Sequence, residues 1–189
     1  YSAWHFGQAD FKEWNLNQGW QSFLWGGIVL AVILLFHTEE LSNILKQIPN
    51  LAAVNLIRDI PQKWLLSIQA LTVFSGFVLA RLTKSINLVL TLIYLLLATQ
   101  LSLLMAFGIY FVLQHSINGW KHLSVGLGKG SLVMWKNALP FTIGGAGIIC
   151  YFLLFAAENY IGLFFIILSC LSLPHVFSMH AFYKLSSSK

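Results

Sequence analysis

Charged residues are scarce in this chain, and that scarcity limits the class of protein to which it can belong. Of its 189 residues, 9% are charged and 58% are hydrophobic, whereas an ordinary soluble domain carries about 25% charged residues. A core of this size cannot hide so much apolar surface from water. The composition therefore excludes a soluble globular domain and predicts that the chain is surrounded by lipid.

Cysteine is almost as rare, with Cys150 and Cys170 both lying inside apolar runs and no CxxC spacing between them. This excludes a disulfide framework, and we expect the two thiols to act as small apolar side chains in helix packing. The net charge of +5 is attributed to cytoplasmic loops, as in other membrane proteins. No nucleic-acid partner is predicted.

The chain is rich in long apolar runs. Because about 20 apolar residues cross a bilayer as a helix, we expect an all-α, polytopic integral-membrane bundle of about six transmembrane helices. The predicted spans are residues 21–36, 64–80, 141–157 and 160–183, with two further helices in 86–117 broken near 98–102. Pro140 is predicted to open the span at 141–157, and Pro174 to kink the last one.

One segment between the first two spans is amphipathic. In residues 38–62 the apolar positions follow helical spacing, which predicts one interfacial helix with breaks at Pro49 and Pro61. With these spans, eight of the 11 Lys and Arg residues fall on the side of the N-terminus, which is therefore predicted to be cytoplasmic, in the inner (plasma) membrane. Since the chain begins at Tyr1, we expect a single transmembrane domain over residues 1–189 that lacks upstream helices.

Histidine supplies most of the chemistry within the apolar runs. Ionisable residues at membrane depth are costly and so are candidates for function, and neutral imidazole is a good ligand for iron, copper and zinc. On the predicted map His37 is interfacial on the far side, and His175 lies deeper, on the last helix beside Pro174. The others lie toward the N-terminal side; these are His5, His115, His122 and His180.

Spacing alone leaves the ligand set open. His115 and His122 would lie about 10.5 Å apart along an ideal helix, so His122 either folds back after a break at Asn118-Gly119 or caps the helix at the surface. His175 either binds a metal or bonds to a carbonyl freed by Pro174. His5 is followed by Asp10, which either orients an imidazole or caps the segment before the next helix.

Three motifs point to a known family. "SAWHFGQAD" at residues 2–10, "YFVLQHSINGW" at 110–120 and the late "LPH" at 173–175 resemble the Brp/Blh family of integral-membrane β-carotene 15,15'-dioxygenases. The resemblance runs through the whole chain in motif order and lacks the family's N-terminal part. It implies an enzyme that uses ferrous iron, Fe(2+), and O2 to split the central double bond of β-carotene into two retinals, which a rhodopsin would then bind.

The resemblance also implies the metal ligands and no catalytic residue beyond them. His5 matches the histidine of the "HFG" motif, and His115 matches the first histidine of the family's "HSxxH" pair. Gly119 stands where the family has the second histidine. Either His122 or His175 is therefore expected to complete the site, or the protein binds iron weakly or not at all.

Two other classes of protein compete with this hypothesis. Another membrane metal oxidase, such as a desaturase, would need HxxxH and HxxHH boxes, and the six histidines form none. The second class is a non-enzymatic membrane protein of the same fold, either carrier-like or an inactive family member, and Gly119 keeps the inactive member open as an alternative. The aromatic residues near His115, which are Phe107, Tyr110 and Phe111, are the candidates for an apolar tunnel that would accept the carotene.

Overall fold

The computed structural model describes residues 1–17, 19–47, 60–155 and 175–179, and within these ranges the chain is helical and has no strand. The predicted all-α class is therefore confirmed for this part of the chain. The helices are α1 (Ser2–Glu13), α2 (Trp20–Leu35), α3 (Thr38–Leu45), α4 (Gln62–Thr83), α5 (Ile86–Ala98), α6 (Leu103–Ile109), a π-helix (Tyr110–Ser116), α7 (Ile117–Leu127) and α8 (Ser131–Phe155). Residues 175–179 are also helical.

The predicted break in residues 86–117 is confirmed, because α5 ends at Ala98 and α6 begins at Leu103. The first turn of a helix leaves backbone N–H groups without partners inside the helix. Here the Leu103 N–H donates to Glu40 Oε2 of α3 over 2.9 Å, and the Met105 N–H donates to the Ser102 hydroxyl over 3.4 Å. Side chains thus satisfy the backbone at the start of α6.

Two other predicted boundaries are wrong. Asn118 and Gly119 do not break the chain, since both lie inside α7. Pro140 does not open a helix, because α8 begins nine residues earlier at Ser131 and continues through it. A glycine costs a helix only about 1 kcal/mol, and a proline interrupts the backbone bonding of a single turn. The neighbouring turns carry the helix past both sites. Pro49 and Pro174 lie outside the described residues.

The core lies where α1, α2, α5 and the π-helix meet. Its most deeply buried side chains are apolar or aromatic and include Phe11, Trp25, Val29, Leu88, Leu92 and Tyr110. The contact between α1 and α2 is made by glycines. A Cβ atom on Gly7 would lie 1.6 Å from the Ser22 carbonyl oxygen, and one on Gly26 would lie 1.8 Å from the Ala3 carbonyl oxygen. Only glycine permits this approach of the two backbones.

The outward surface of α4 is strongly apolar. Among the described residues, α4 is the one helix long and apolar enough to cross a bilayer, and only 17% of its most apolar window is buried. The helices α2 and α3, bent by 84° at their junction, form a second candidate if they are counted as one span. The prediction of about six spans is therefore not confirmed, because α2 with 16 residues and α5 with 13 are shorter than the about 20 residues a span requires.

The crossing of α1 and α2 provides a direct test of this packing. We expect Gly26→Ala to lower the free energy of unfolding by about 1–3 kcal/mol or more, since the added methyl group meets the backbone of α1. Gly27→Ala is the matched control, because a Cβ there meets nothing within 4 Å; it should be neutral or stabilising by up to about 1 kcal/mol. Thermal unfolding in detergent measures both, and equal effects would contradict the close crossing.

Candidate metal centre

Three histidines from separate segments of the chain meet at one place. His5 of α1, His115 of the π-helix and His175 of residues 175–179 each offer one ring nitrogen, and these three nitrogens lie within 4.8 Å of one another. The ring centroids of His5 and His115 are 4.8 Å apart, and those of His5 and His175 are 5.0 Å apart. Of the four predicted ligands, the fold therefore gathers His5, His115 and His175.

Three ring nitrogens of this cluster are unusual because they are buried without a hydrogen-bond partner among the described residues. His5 and His115 are buried, with 4% and 6% of their surface exposed. Both ring nitrogens of His5 and Nδ1 of His115 have no hydrogen-bond partner among the described residues, although buried polar atoms nearly always have one. Burial, followed by repulsion from His175, lowers the pKa of His5 to about 4. The imidazole is thus neutral near pH 7 and offers a lone pair, as a metal ligand must.

The π-helix determines which side chains face α1. In an α-helix, residues five apart point about 140° away from each other, whereas the i→i+5 pattern of a π-helix brings them onto one side. Tyr110 and His115 are five apart, and both contact Phe6 of α1 with ring centroids at 5.5 and 4.7 Å. The π-helix therefore presents both rings to α1, in a type of segment that frequently occurs at functional sites.

Aromatic rings surround His115. In addition to Phe6, the ring of Phe111 lies 5.4 Å from the imidazole, and Phe107 stacks on Phe111 with centroids at 5.6 Å. Two of the residues predicted to line a tunnel, Phe107 and Phe111, thus lead toward the histidine cluster. The described surroundings of His115 are thus aromatic, and His5 and His115 are buried, whereas His175 is exposed.

The other described histidines have different partners. His122 lies on α7, where its Nε2 is 3.4 Å from Glu13 Oε2 and its neighbour Lys121 bonds to the same carboxylate at 3.1 Å. Because α7 is continuous, His122 does not fold back, and the structure places it outside the cluster. His37 is buried, with Nδ1 2.6 Å from the Ile33 carbonyl oxygen and Nε2 3.0 Å from that of Leu101. His180 lies outside the described residues.

Asp10 lies within α1 and so does not cap a helix. It is fully buried, and its Oδ2 accepts hydrogen bonds from Trp25 Nε1 at 2.9 Å, from Gln114 Nε2 at 2.9 Å and from the Tyr110 hydroxyl at 3.1 Å. Burial raises the pKa of this carboxyl to about 6, against the hydrogen bonds from Gln114, Trp25, Tyr110 and Asn118 that lower it. The sequence analysis does not single out Gln114. Its one signal in the sequence is that it is a polar residue within an apolar run.

Phe6 packs directly against the cluster, and its removal should be costly. It is 6% exposed and contacts Tyr110, Phe111 and His115. We expect Phe6→Ala to lower the free energy of unfolding by about 3–5 kcal/mol, as for other buried phenylalanines. Phe23→Ala is the control, because Phe23 is 52% exposed and its loss should cost far less. Denaturant unfolding measures the difference, and similar costs would contradict the described packing.

Comparison with known proteins identifies one family. No curated protein and no solved structure shows significant similarity to the chain. A family model described as Beta-carotene 15,15'-dioxygenase matches residues 1–183, almost the whole length of the chain and all three histidines of the cluster. The resemblance seen in the sequence motifs is thereby confirmed, and the chain belongs to the β-carotene 15,15'-dioxygenase family.

Proposed function

We propose that this protein cleaves β-carotene at its central double bond with O2 to give two retinals, and that His5, His115 and His175 hold the ferrous iron this reaction uses. The observation that carries the proposal is the meeting of three imidazoles, from three separate segments, within 4.8 Å of one another. Family membership supplies the substrate and the type of reaction.

The donor set suits a ferrous ion. Imidazole is a ligand that iron accepts. The buried nitrogens of His5 and His115 that have no hydrogen-bond partner in the described ranges are the groups that an ion would satisfy. When bound, the iron would supply the redox chemistry that activates O2, and three protein ligands would leave coordination positions open for it. His122 is not needed for this set, because it contacts Glu13.

The residues around the cluster would bind and shield the substrate. The rings of Phe6 and Phe111 pack on His115 and extend through Phe107, so they offer an apolar wall for a polyene. The reaction breaks one C=C bond and adds one oxygen atom to each of its carbons. Both atoms of O2 thus end in the two aldehyde groups, and exclusion of water protects reactive species from side reactions.

The surface of the protein supports a location in the lipid phase. The helix α4 exposes Trp64, Leu71 and Phe74 by about 60% each, and contiguous apolar surface of this kind marks contact with a membrane or a partner. We place the protein in the inner (plasma) membrane as a multi-pass protein with about six spans. β-Carotene, which dissolves in lipid, would enter from the bilayer, and a retinal-binding rhodopsin could receive the product.

Replacement of the cluster histidines tests the proposed reaction. In cells that make β-carotene, expression of the protein should bleach the colour and produce retinal, measured by chromatography. His5→Ala and His115→Ala should abolish both and lower the iron bound per chain. His122→Ala is the matched control and should retain activity, because His122 lies outside the cluster.

Each possible outcome of this test selects one class of protein. Iron bound without carotene cleavage would indicate another membrane metal oxidase. Absence of both iron and cleavage in the wild-type protein would indicate an inactive or carrier-like family member. Loss of activity in His122→Ala comparable to that in His5→Ala would overturn the proposed ligand set.

Gly119 allows a test in which a fourth histidine is added to the proposed site. It lies four residues after His115, where a helical side chain points to the same face, and a Cβ there meets no atom within 4 Å. We expect Gly119→His to strengthen metal binding and to leave cleavage intact or raise it. Gly119→Ala controls for the gain in helix propensity. A large loss of activity in both variants would show that this position requires glycine itself.

A further inference from the structure

We propose that Asp10 and Gln114 form a positioning pair that sets the distance between His5 and His115, an inference that rests on the proposed function. Gln114 Nε2 donates to Asp10 Oδ2 over 2.9 Å. Asp10 lies five residues after His5 on α1, and Gln114 immediately precedes His115 on the π-helix. The bond therefore joins the same two elements that carry the two buried imidazoles.

The Gln114 amide is held in one orientation. Its Oε1 accepts hydrogen bonds from the Tyr94 hydroxyl at 2.8 Å and from the Thr91 hydroxyl at 3.2 Å, both on α5. Because a carbonyl oxygen accepts and an amide NH₂ donates, these two contacts turn the NH₂ group toward Asp10. The side chain next to His115 is thus fixed from α5 and from α1 together.

The Asp10 carboxylate is held through Oδ2, whereas Oδ1 has no hydrogen-bond partner among the described residues. Asp10 is fully buried, and Trp25 Nε1 of α2 donates to the same Oδ2 at 2.9 Å. Hydrogen bonds to a charged group are about twice as strong as neutral ones, and loss of one partner leaves charge buried without compensation. Asp10 therefore ties α1 both to α2 and to the π-helix that carries His115.

The positions of these bonds distinguish them from general helix packing. Another glutamine, Gln69 of α4, also makes a bond between helices, donating over 2.7 Å to the Leu35 carbonyl oxygen at the end of α2. Neither α4 nor α2 carries a histidine of the cluster. Gln69 thus provides a matched site at which an interhelical glutamine bond can be removed without touching the proposed centre.

Replacement of the amide donor tests the pair. Gln114→Glu would place two carboxylates face to face, in place of the bond from Gln114 Nε2 to Asp10 Oδ2. We expect Gln114→Glu to weaken Co²⁺ binding about 10- to 100-fold, as substitutions of residues that support metal ligands do. It should also alter the visible absorption of bound Co²⁺, which a change in stability alone would not do.

Controls separate positioning from stability. Gln69→Glu should lower the unfolding temperature in detergent and leave Co²⁺ affinity unchanged. Tyr94→Phe, which removes one bond to Gln114 and leaves Asp10 intact, should weaken Co²⁺ binding about two- to tenfold. This milder variant decides the matter if Gln114→Glu does not fold.

The outcomes are distinct. Wild-type affinity and spectrum in Gln114→Glu, or in Tyr94→Phe where the former does not fold, would overturn the positioning pair and leave the proposed function standing. Failure of the wild-type protein to bind Co²⁺ or iron would overturn the proposed function, and the positioning pair with it.

Discussion

The direct contact between the backbones of α1 and α2 is the constraint on which the site depends. Gly7 and Gly26 leave no room for a Cβ atom, so α1 can pack on α2 at one place only. His5 lies two residues before Gly7, and its position follows from that contact. Trp25, next to Gly26, then reaches Asp10, so the crossing of the first two helices also defines where the π-helix must attach.

Polar side chains in this apolar chain are mostly used to satisfy other polar groups. Glu40 accepts from the first turn of α6, and His37 lies between two backbone carbonyls. This is expected, because an unsatisfied polar group in hydrocarbon costs several kcal/mol. Against that background three imidazole nitrogens stand out: both of His5 and Nδ1 of His115 are buried and have no hydrogen-bond partner among the described residues. Asp10 Oδ1 and the Ser42 hydroxyl also lack one there, but the three nitrogens lie in one cluster, which is consistent with a ligand that binds after folding.

The features that the sequence predicted are those with a strong local or chemical signal. The long apolar runs predict the helical class and the interruption near residue 100. The family motifs indicate the histidines that meet. The breaks expected at Asn118-Gly119 and Pro140 are absent because glycine and proline lower the stability of a helix by only a few kcal/mol. The remaining residues of the helix stabilise it by more than that. The π-helix has no local signature, since it arises where Tyr110 and His115 must both pack on Phe6. The contact of Gln114 with Asp10 spans 104 positions in sequence, beyond any local pattern.

The chemistry around the histidines favours an oxygenase over a hydrolase, although three imidazoles could also hold zinc. A metal hydrolase requires a group that moves a proton, and no carboxylate is hydrogen-bonded to the cluster in the part of the chain that the structure describes. Asp10 accepts bonds from Trp25, Tyr110 and Gln114, and Glu13 pairs with Lys121 and His122. Adding two oxygen atoms across a carbon–carbon double bond takes up and releases no net proton. The aromatic surroundings of His5 and His115, together with the absence of a described acid or base bonded to the cluster, therefore suit that reaction and a hydrocarbon substrate.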